Sequence, residues 1–590
     1  MKSDRFAPWL LVLVVLVVYL PGLAQLPLLD RDEPRFATAA REMMERDDWI
    51  VPTFNGNYRF DKPPLIYWLM RAGYAMAGMN ELGARLPAVA CMIALVLLMW
   101  STGRRWFGKR EGFAAAFMLA TSLQFFIHGR LAVADMPMVL CVAVACVALA
   151  ELLLGAEASI VPAWHRRRAW WSLWAALGMG FLAKGPIALL VPALALLLWR
   201  WVFWRKPLQW ARLGIGRGLL LTTGIVAIWG IPALWLTHGQ FWEVGIGEHV
   251  VRRGFEKFND RSYSVFFYLG TAFVSLFPWI VFAGLAGMAA LRQWDARRAW
   301  LVSWFVAPYI IFTAYSTQLP HYVLPGFPAF FLVLGSGFWG KGGAEEWGGT
   351  PFRGAGGTEG LGREEGLPLW KVRGAEGWGE KGGVPHWLRV SVAAVLSIVG
   401  LVLIGILALV LRTELAAGLE PLRHALLGLV LVSSGFLLVA ASWWCRRVGL
   451  TVLGIALLAT GSHRAGTGLR TVNPALLMSQ QWHPDVRCLG WGFAEPSLVF
   501  YSGAKWIFPG TPAALADALA IPGPAVIVVM ERECDPLGFF TGHLRWREYP
   551  APAALAGASR CLQSFEGLNL GRCRWQRISV WMRPESIPVK

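Results

Sequence analysis

The sequence predicts a mainly α-helical bundle threaded about thirteen times through a membrane, followed by a small soluble α/β domain. Three observations carry this expectation. The 590 residues are 56% hydrophobic and only 16% charged. Their mean hydropathy of +0.48 is far above that of a water-soluble chain of this size. Apolar runs long enough to cross a bilayer, roughly 17 to 25 residues each, recur until about Gly461, where the pattern changes to short segments bounded by Pro and Gly.

Candidate spans begin near Pro8, Leu82, Gly112, Asp135, Ala169, Pro186, Gly218, Val265, Ala299, Tyr322, Leu388, His424 and Val448. Lys2 and Arg5 ahead of a Leu/Val run give the first the look of a signal peptide. The following Pro21-Gly22-Leu23-Ala24-Gln25-Leu26-Pro27 offers no small-residue cleavage site, so it reads as an uncleaved helix. With a cytoplasmic N-terminus, the clusters Arg104-Arg105, Lys109-Arg110, Arg166-Arg167-Arg168, Arg205-Lys206, Arg297-Arg298 and Arg446-Arg447 all fall on the cytoplasmic side. An odd number of spans then carries the tail outside.

Residues 1–463 therefore read as the membrane domain and 464–590 as the outer soluble domain. A Gly/Trp/Glu-rich stretch over 335–385 reads as a flexible cytoplasmic loop. In the tail, Ser497–Tyr501 is expected to be extended, Pro512–Leu519 helical and Ala525–Met530 a buried strand. Four of the eight cysteines, Cys488, Cys534, Cys561 and Cys573, lie there, and sequence alone does not pair them. The net charge of +18 comes without a Lys/Arg-rich run or nucleic-acid module, so it is assigned to membrane topology and no nucleic-acid partner is expected. The 33 Trp and 33 Phe fit interfacial belts and packing between helices.

The loop between the first two spans, 30–81, breaks the positive-inside pattern with Arg31, Arg35, Arg41, Arg46, Arg59, Lys62 and Arg71. An anionic substrate outside is a reason for such charge, and segments such as Arg35–Glu45 read as amphipathic helices lying along the interface. Asp32-Glu33 places two carboxylates at the membrane boundary. Alone, such a pair is an ordinary helix-end cap, with Asp30 a surface residue. Asp61-Lys62-Pro63-Pro64 is either a turn or a lysine poised for a phosphate. Asp135 in Ala134-Asp135-Met136-Pro137 has a sufficient explanation as a helix start.

Lys184 is harder to dismiss, because it is the only charge between Arg168 and Arg200 and a lone ammonium at the bilayer edge is costly. Glu248-His249-Val250-Val251-Arg252-Arg253 mixes an imidazole with phosphate-gripping guanidinium groups. Tyr322, after Gln318-Leu319-Pro320-His321, is a hydrogen-bond donor or an aromatic-belt residue. Each signal is weak, yet a topology drawn from Lys/Arg clusters elsewhere gathers them all on the outer side.

With these residues in order, the chain resembles the GT-C glycosyltransferases of the protein O-mannosyltransferase and lipid A aminoarabinose transferase (ArnT-like) superfamily. The resemblance covers roughly the first 330 residues. It is most specific in Asp32-Glu33-Pro34-Arg35-Phe36 through Arg41-Glu42-Met43, Asp48-Trp49-Ile50-Val51-Pro52, and Asp61-Lys62-Pro63-Pro64-Leu65-Ile66-Tyr67-Trp68. It implies a GT-C helical bundle with interfacial helices in the first outer loop, sited in a bacterial inner membrane. It also implies a polyprenyl-phosphate sugar donor and a lipid A, glycan or protein acceptor.

Residue by residue, the resemblance implies catalytic carboxylates at Asp32 and Asp135. It implies substrate contacts from Glu33, Arg35, Lys62, Lys184, His249, Arg252 and Tyr322, the cations forming a cradle for the donor phosphate. Asp61 and His249 resemble a pair that holds a divalent ion in relatives, so a metal is an open expectation and no other cofactor is implied. Gln318 departs from a frequent Lys. A lipid-linked-sugar flippase or transporter is the alternative. It normally places ionisable groups near the bilayer midplane between inverted repeats, and neither feature is evident here.

Overall fold

In the computed structural model, the described residues are 6–154, 163–205, 210–252, 264–337, 416–445, 448–471, 473, 475–476, 486–534, 546–550, 552, 555, 559–569 and 574–583. They form a helical bundle joined to a mixed α/β domain. Helices α1 (Ala7–Tyr19), α4 (Glu81–Trp106), α5 (Lys109–Ala120), α6 (Leu123–His128), α7 (Asp135–Leu154), α8 (Ala163–Lys184), α9 (Ile187–Leu198) and α10 (Ile215–Leu236) make up the first half of the bundle. Helices Ala296–Thr313, Phe327–Gly337, Ala416–Cys445 and Val448–Thr471 continue it. Among the described residues, five helical segments are long and apolar enough to cross a membrane: Glu81–Trp106, Asp135–Leu154, Trp210–Leu236, His424–Ala441 and Val448–Arg470.

Two expected spans take a different form. The run from Val265 is broken into Phe267–Ser275, a 3-10 turn Trp279–Phe282, a π turn Ala283–Gly287 and Met288–Arg292. The span placed at Tyr322 starts with a 3-10 turn, Pro320–Gly326, because prolines at both ends interrupt the α ladder, and becomes α-helical at Phe327. The span at Leu388 and most of the loop 335–385 lie outside the described residues.

Breaks of this kind leave carbonyl groups without helical partners, and an apolar surrounding offers no water to satisfy them. Tryptophan supplies the donors. Trp279 Nε1 donates to Thr121 O at 3.2 Å past the end of α5, and Trp304 Nε1 to Pro325 O at 2.8 Å. Trp170 and Trp174 both reach Leu213 O. Part of the Trp content is thus accounted for by hydrogen bonding at irregular backbone as well as by packing.

The first loop folds into two 13-residue helices, α2 (Glu33–Glu45) and α3 (Leu65–Ala77), with a small hairpin of β1 (Thr53–Phe54) and β2 (Asn57–Tyr58) between them. Pro34 in the first turn of α2 has the φ a helix start requires. The hairpin turns at Asn55-Gly56, both at positive φ, and is held to α2 by Glu42, which accepts from Asn55 N at 2.7 Å.

One buried ion pair ties this loop to the bundle. Glu33 is 1% exposed and Arg85, inside α4, is fully buried. Arg85 donates to Glu33 through Nε at 2.8 Å and Nη2 at 2.7 Å. Its remaining donors close the carbonyls of Leu23, Leu26 and Pro27 at the end of the first span. Glu33 accepts in addition from Leu29 N and Ala132 N, so its four acceptor positions are filled.

The C-terminal domain holds a sheet in the order β4-β3-β5-β8-β7, with β6 also on β5. β3 (Arg487–Trp491), β4 (Trp506–Ile507) and β5 (Ala525–Cys534) are parallel; β7 (Arg560–Asn569) and β8 (Arg574–Arg583) run antiparallel, as does β6 (Trp546–Glu548). The expected strand and the Pro512 helix are present, the latter as Pro512–Ala520. Ser497–Tyr501 is helical rather than extended, within Pro496–Ser502. Pro496 at its first turn and Gly503 at φ 69° after its last bound a run too short to show helical periodicity. The last membrane helix continues to Thr471, several residues past the boundary read from hydropathy.

This domain is docked on the first loop. Arg41 donates to Phe500 O at 2.8 Å and Val499 O at 3.1 Å, Tyr501 Oη accepts from Leu28 N at 2.8 Å, and Asn55 exchanges two hydrogen bonds with the backbone of Trp506. Asp30 is buried rather than on the surface, and its carboxylate accepts from Ser497 N at 3.1 Å. Glu33→Ala strands the Arg85 guanidinium and is expected to cost about 3–5 kcal/mol. Glu45→Ala, on the exposed face of α2, should stay within about 0.5 kcal/mol. Thermal unfolding of the detergent-solubilised chain measures both; equal melting temperatures would contradict this anchoring.

Candidate active site

Asp32 occupies the N-cap position of α2, where a carboxylate normally accepts from the first turn, yet its side chain makes no capping bond and is exposed. The adjacent Glu33 takes up the structural role. Its saturated, buried carboxylate anchors the loop in place of the substrate contact expected of it. The anchor fixes the start of α2 and leaves Asp32 facing outward.

Beside Asp32 lies a cluster of opposite charges. Arg59 donates from Nη2 to Asp61 at 2.9 Å and from Nε to the Tyr67 hydroxyl at 3.1 Å, with its guanidinium 5.1 Å from the Phe36 ring. Lys62 Nζ lies 3.1 Å from the Asp61 carboxylate and 2.9 Å from its carbonyl oxygen. Burial opposes the charge on Arg59, and the Tyr67, Asp61 and Asp32 groups favour it, with the balance raising its pKa. For Arg35, burial and the neighbouring Arg59 lower the pKa against the support of Asp32, Asp61 and Glu495.

A second cluster joins at the start of α7. Lys184 Nζ, at the end of α8, lies 2.5 Å from Asp135 Oδ1 and 5.5 Å from the Tyr322 ring. His321 Nε2 is 3.9 Å from the same oxygen, and the His128 ring lies 4.9 Å from that of His321. The two clusters are neighbours through one short segment. Glu33 Oε1 accepts from Ala132 N, three residues before Asp135, and Ala132–Ala134 packs in one apolar group with Phe36 and Tyr67.

His249 and Arg252 belong to a π-helical segment, Phe241–Arg252. Their side chains lie outside the described residues. The segment's first turn is placed by Phe241, whose ring contacts Phe60 at 5.5 Å and Trp229 at 4.8 Å. A Cβ on Gly245 would come within 3.0 Å of the Phe60 carbonyl oxygen, so the helix backbone passes directly over the residue preceding Asp61.

A family model described as dolichyl-phosphate-mannose-protein mannosyltransferase matches residues 61–229, a stretch that includes Asp61, Lys62, Asp135 and Lys184. Undecaprenyl phosphate-alpha-4-amino-4-deoxy-L-arabinose arabinosyl transferases of Edwardsiella ictaluri and Erwinia tasmaniensis are 29% and 30% identical to the chain. Each match spans 347 residues, which is 56% and 57% of this chain and 59% of each relative. The chain thus matches about six tenths of the length of these curated relatives. ArnT from Cupriavidus metallidurans in the apo state superposes with a TM-score of 0.70 at 18% identity over 98% of both chains. The same protein bound to undecaprenyl phosphate gives 0.69 at 20% identity over 97% of both.

The chain has the fold of ArnT. Sequence reasoning within that resemblance singled out Asp32, Lys62, Asp135, Lys184 and Tyr322. It named Arg59 only among the cations of the first loop and His321 only within the motif before Tyr322, and it passed over Arg85 and His128. For Arg85 a signal was present: a lone Arg a few residues into an apolar run demands a buried partner.

The sequence resemblance also raised a divalent ion at Asp61 and His249. Asp61 is already engaged by two cations, Arg59 and Lys62, so its oxygens are not arranged as an unshared metal ligand. Among the described residues no group of three His, Cys, Asp or Glu gathers around a common point. Asp61→Asn is therefore expected to leave Arg59 and Lys62 in place and to tighten binding of a phosphate monoester about fivefold. That corresponds to removing ~1 kcal/mol of like-charge repulsion across a few ångströms of solvent-screened space. Titration with and without chelator measures it; loss of binding on chelation would favour the metal.

Proposed function

We propose that the chain is an integral membrane glycosyltransferase that moves a sugar from a polyprenyl-phosphate donor to a lipid, glycan or protein acceptor at the outer face of a bacterial inner membrane. The N-terminus is then cytoplasmic, and the C-terminal domain stands outside over the reacting groups. The observation that carries this reading is the Asp32 carboxylate: it occupies a cap position without capping, beside Arg35 and Arg59, and its neighbour Glu33 ties it to the segment that leads into Asp135. The donor class is supported by the likeness to ArnT bound to undecaprenyl phosphate and to the undecaprenyl-phosphate aminoarabinose transferases.

In the reaction, an acceptor oxygen attacks the anomeric carbon, the bond from that carbon to the phosphate oxygen breaks, and polyprenyl phosphate leaves with the bonding electrons. Asp32 takes the proton of an attacking hydroxyl, or orients an acceptor that is already anionic. The leaving phosphate gains charge, so fixed cations near it stabilise the transition state more than the ground state. Lys62, Lys184 and Arg252 are assigned this role, and Arg35 and Arg59 hold the Asp32 and Asp61 carboxylates in their field. Tyr322, beside Lys184, limits where its ammonium can go.

Asp32→Asn, reconstituted in liposomes with a labelled polyprenyl-phosphate sugar, is expected to lose transfer by about 10²-fold or more, the scale of a removed general base. Donor binding should persist. Lys62→Ala should mainly weaken donor use. Near-wild-type transfer by Asp32→Asn would sink the assignment, and movement of the labelled lipid across the bilayer without transfer would favour a flippase.

A further inference from the structure

Three elements meet at one carboxylate oxygen. Asp135 opens α7, Lys184 closes α8, and His321 lies in the turn Pro320–Gly326. Lys184 Nζ is 2.5 Å from Asp135 Oδ1, a formed ion pair. His321 Nε2 is 3.9 Å from the same atom, about one ångström beyond a hydrogen bond. Among the described residues, the titratable and charged groups around His321 are these two, His128 on α6 with its ring 4.9 Å away, and Tyr322 with its ring 5.0 Å away.

The three members differ in what they can afford to lose. Asp135 is buried, and a buried carboxylate deprived of its partner is strongly destabilising. Lys184 keeps 17% of its side chain exposed on a flexible stem, and its compact ammonium suits a phosphate oxygen. His321 retains 24% exposure, so a proton can reach it from solvent. At rest the Lys184 ammonium holds the Asp135 oxygen that His321 faces, so a second cation on the imidazole would meet a like charge there. Departure of the Lys184 ammonium would remove that like charge and leave Asp135 unpaired, and both changes favour a charged imidazole.

We propose that His321 is a positioning residue that takes up a proton when Lys184 turns from Asp135 to the donor's phosphate, and so replaces the lysine as the partner of that carboxylate. No covalent bond changes between heavy atoms. One proton passes from solvent to the imidazole, and Nε2–H then donates to Asp135 Oδ1. The cluster gains one positive charge as the anion arrives, which holds Asp135 in place and keeps Lys184 from being pulled back. The inference rests on the reading that the phosphate binds at Lys184.

The test is calorimetric binding of undecaprenyl phosphate to the purified full-length chain in detergent, near neutral pH, in two buffers of different ionisation enthalpy. The pair of titrations counts protons taken up per ligand bound. Wild type is expected to take up about one proton more than His321→Gln, whose own affinity is several-fold weaker. Protonation of the lipid phosphate itself is common to both and cancels in the difference. If His321→Gln does not fold, Asp135→Asn reads the same quantity, since a neutral amide needs no replacement cation and the additional proton should vanish there too. Equal proton counts in wild type and the folded variant would overturn the proposal. Unchanged affinity in Lys184→Met would instead overturn the placement of the phosphate, which keeps the two failures distinct.

Discussion

The buried ion pair between Glu33 and Arg85 is the constraint on which the rest of the site depends. Arg85 sits inside an apolar helix, where an unpaired guanidinium is untenable, and it finds a carboxylate and three carbonyl groups. In doing so it fastens the end of the first span to the start of α2. Glu33 also holds Ala132, and through that segment the approach to Asp135. Two helix starts, each with a carboxylate at its mouth, are thereby fixed to each other. Asp32 is left exposed because its neighbour carries the structural role.

The same solvent constraint explains features that look unrelated. Irregular backbone inside an apolar bundle has to find donors within the protein, and indoles provide them: Trp304 at the proline-broken turn and Trp279 past the end of α5. Such breaks form the 3-10 turn that delivers His321 and Tyr322 to Lys184. Away from the bundle, Arg41, Asn55 and Asp30 bind the backbone of the C-terminal domain, so the first loop is clamped on one face by Arg85 and on the other by Val499, Phe500, Trp506 and Ser497. A loop held on both faces keeps a carboxylate in a fixed place, which preorganised catalysis requires.

Much of this was legible in the sequence, for identifiable reasons. Long apolar runs and the Pro34 helix start are local signals, and the charge at Lys184 stands out against apolar surroundings. What the sequence did not disclose were pairings. Asp135 and Lys184 were each singled out, but their contact joins positions 49 residues apart. Asp30 read as a surface residue because its partner, Ser497, is 467 positions away. Ser497–Tyr501 read as a strand because seven residues are too few to show a helical period, although Pro496 and Gly503 marked the ends. His321 was hidden by its neighbours, since a histidine beside a tyrosine in a polar turn resembles an interfacial residue until α7 and α8 are packed against it.

An exposed carboxylate that caps nothing and a cationic surround are set in a fold shared with ArnT. The central claim is spatial: the donor phosphate lies between Lys62 and Lys184, with Asp32 facing the sugar. The most direct measurement is an experimental structure of this chain with undecaprenyl phosphate bound. The account predicts phosphate density within hydrogen-bonding distance of both lysine ammonium groups, with the polyprenyl chain leading away into the bilayer. Phosphate density on the opposite side of the Glu33–Arg85 pair, out of reach of both lysines, would contradict it.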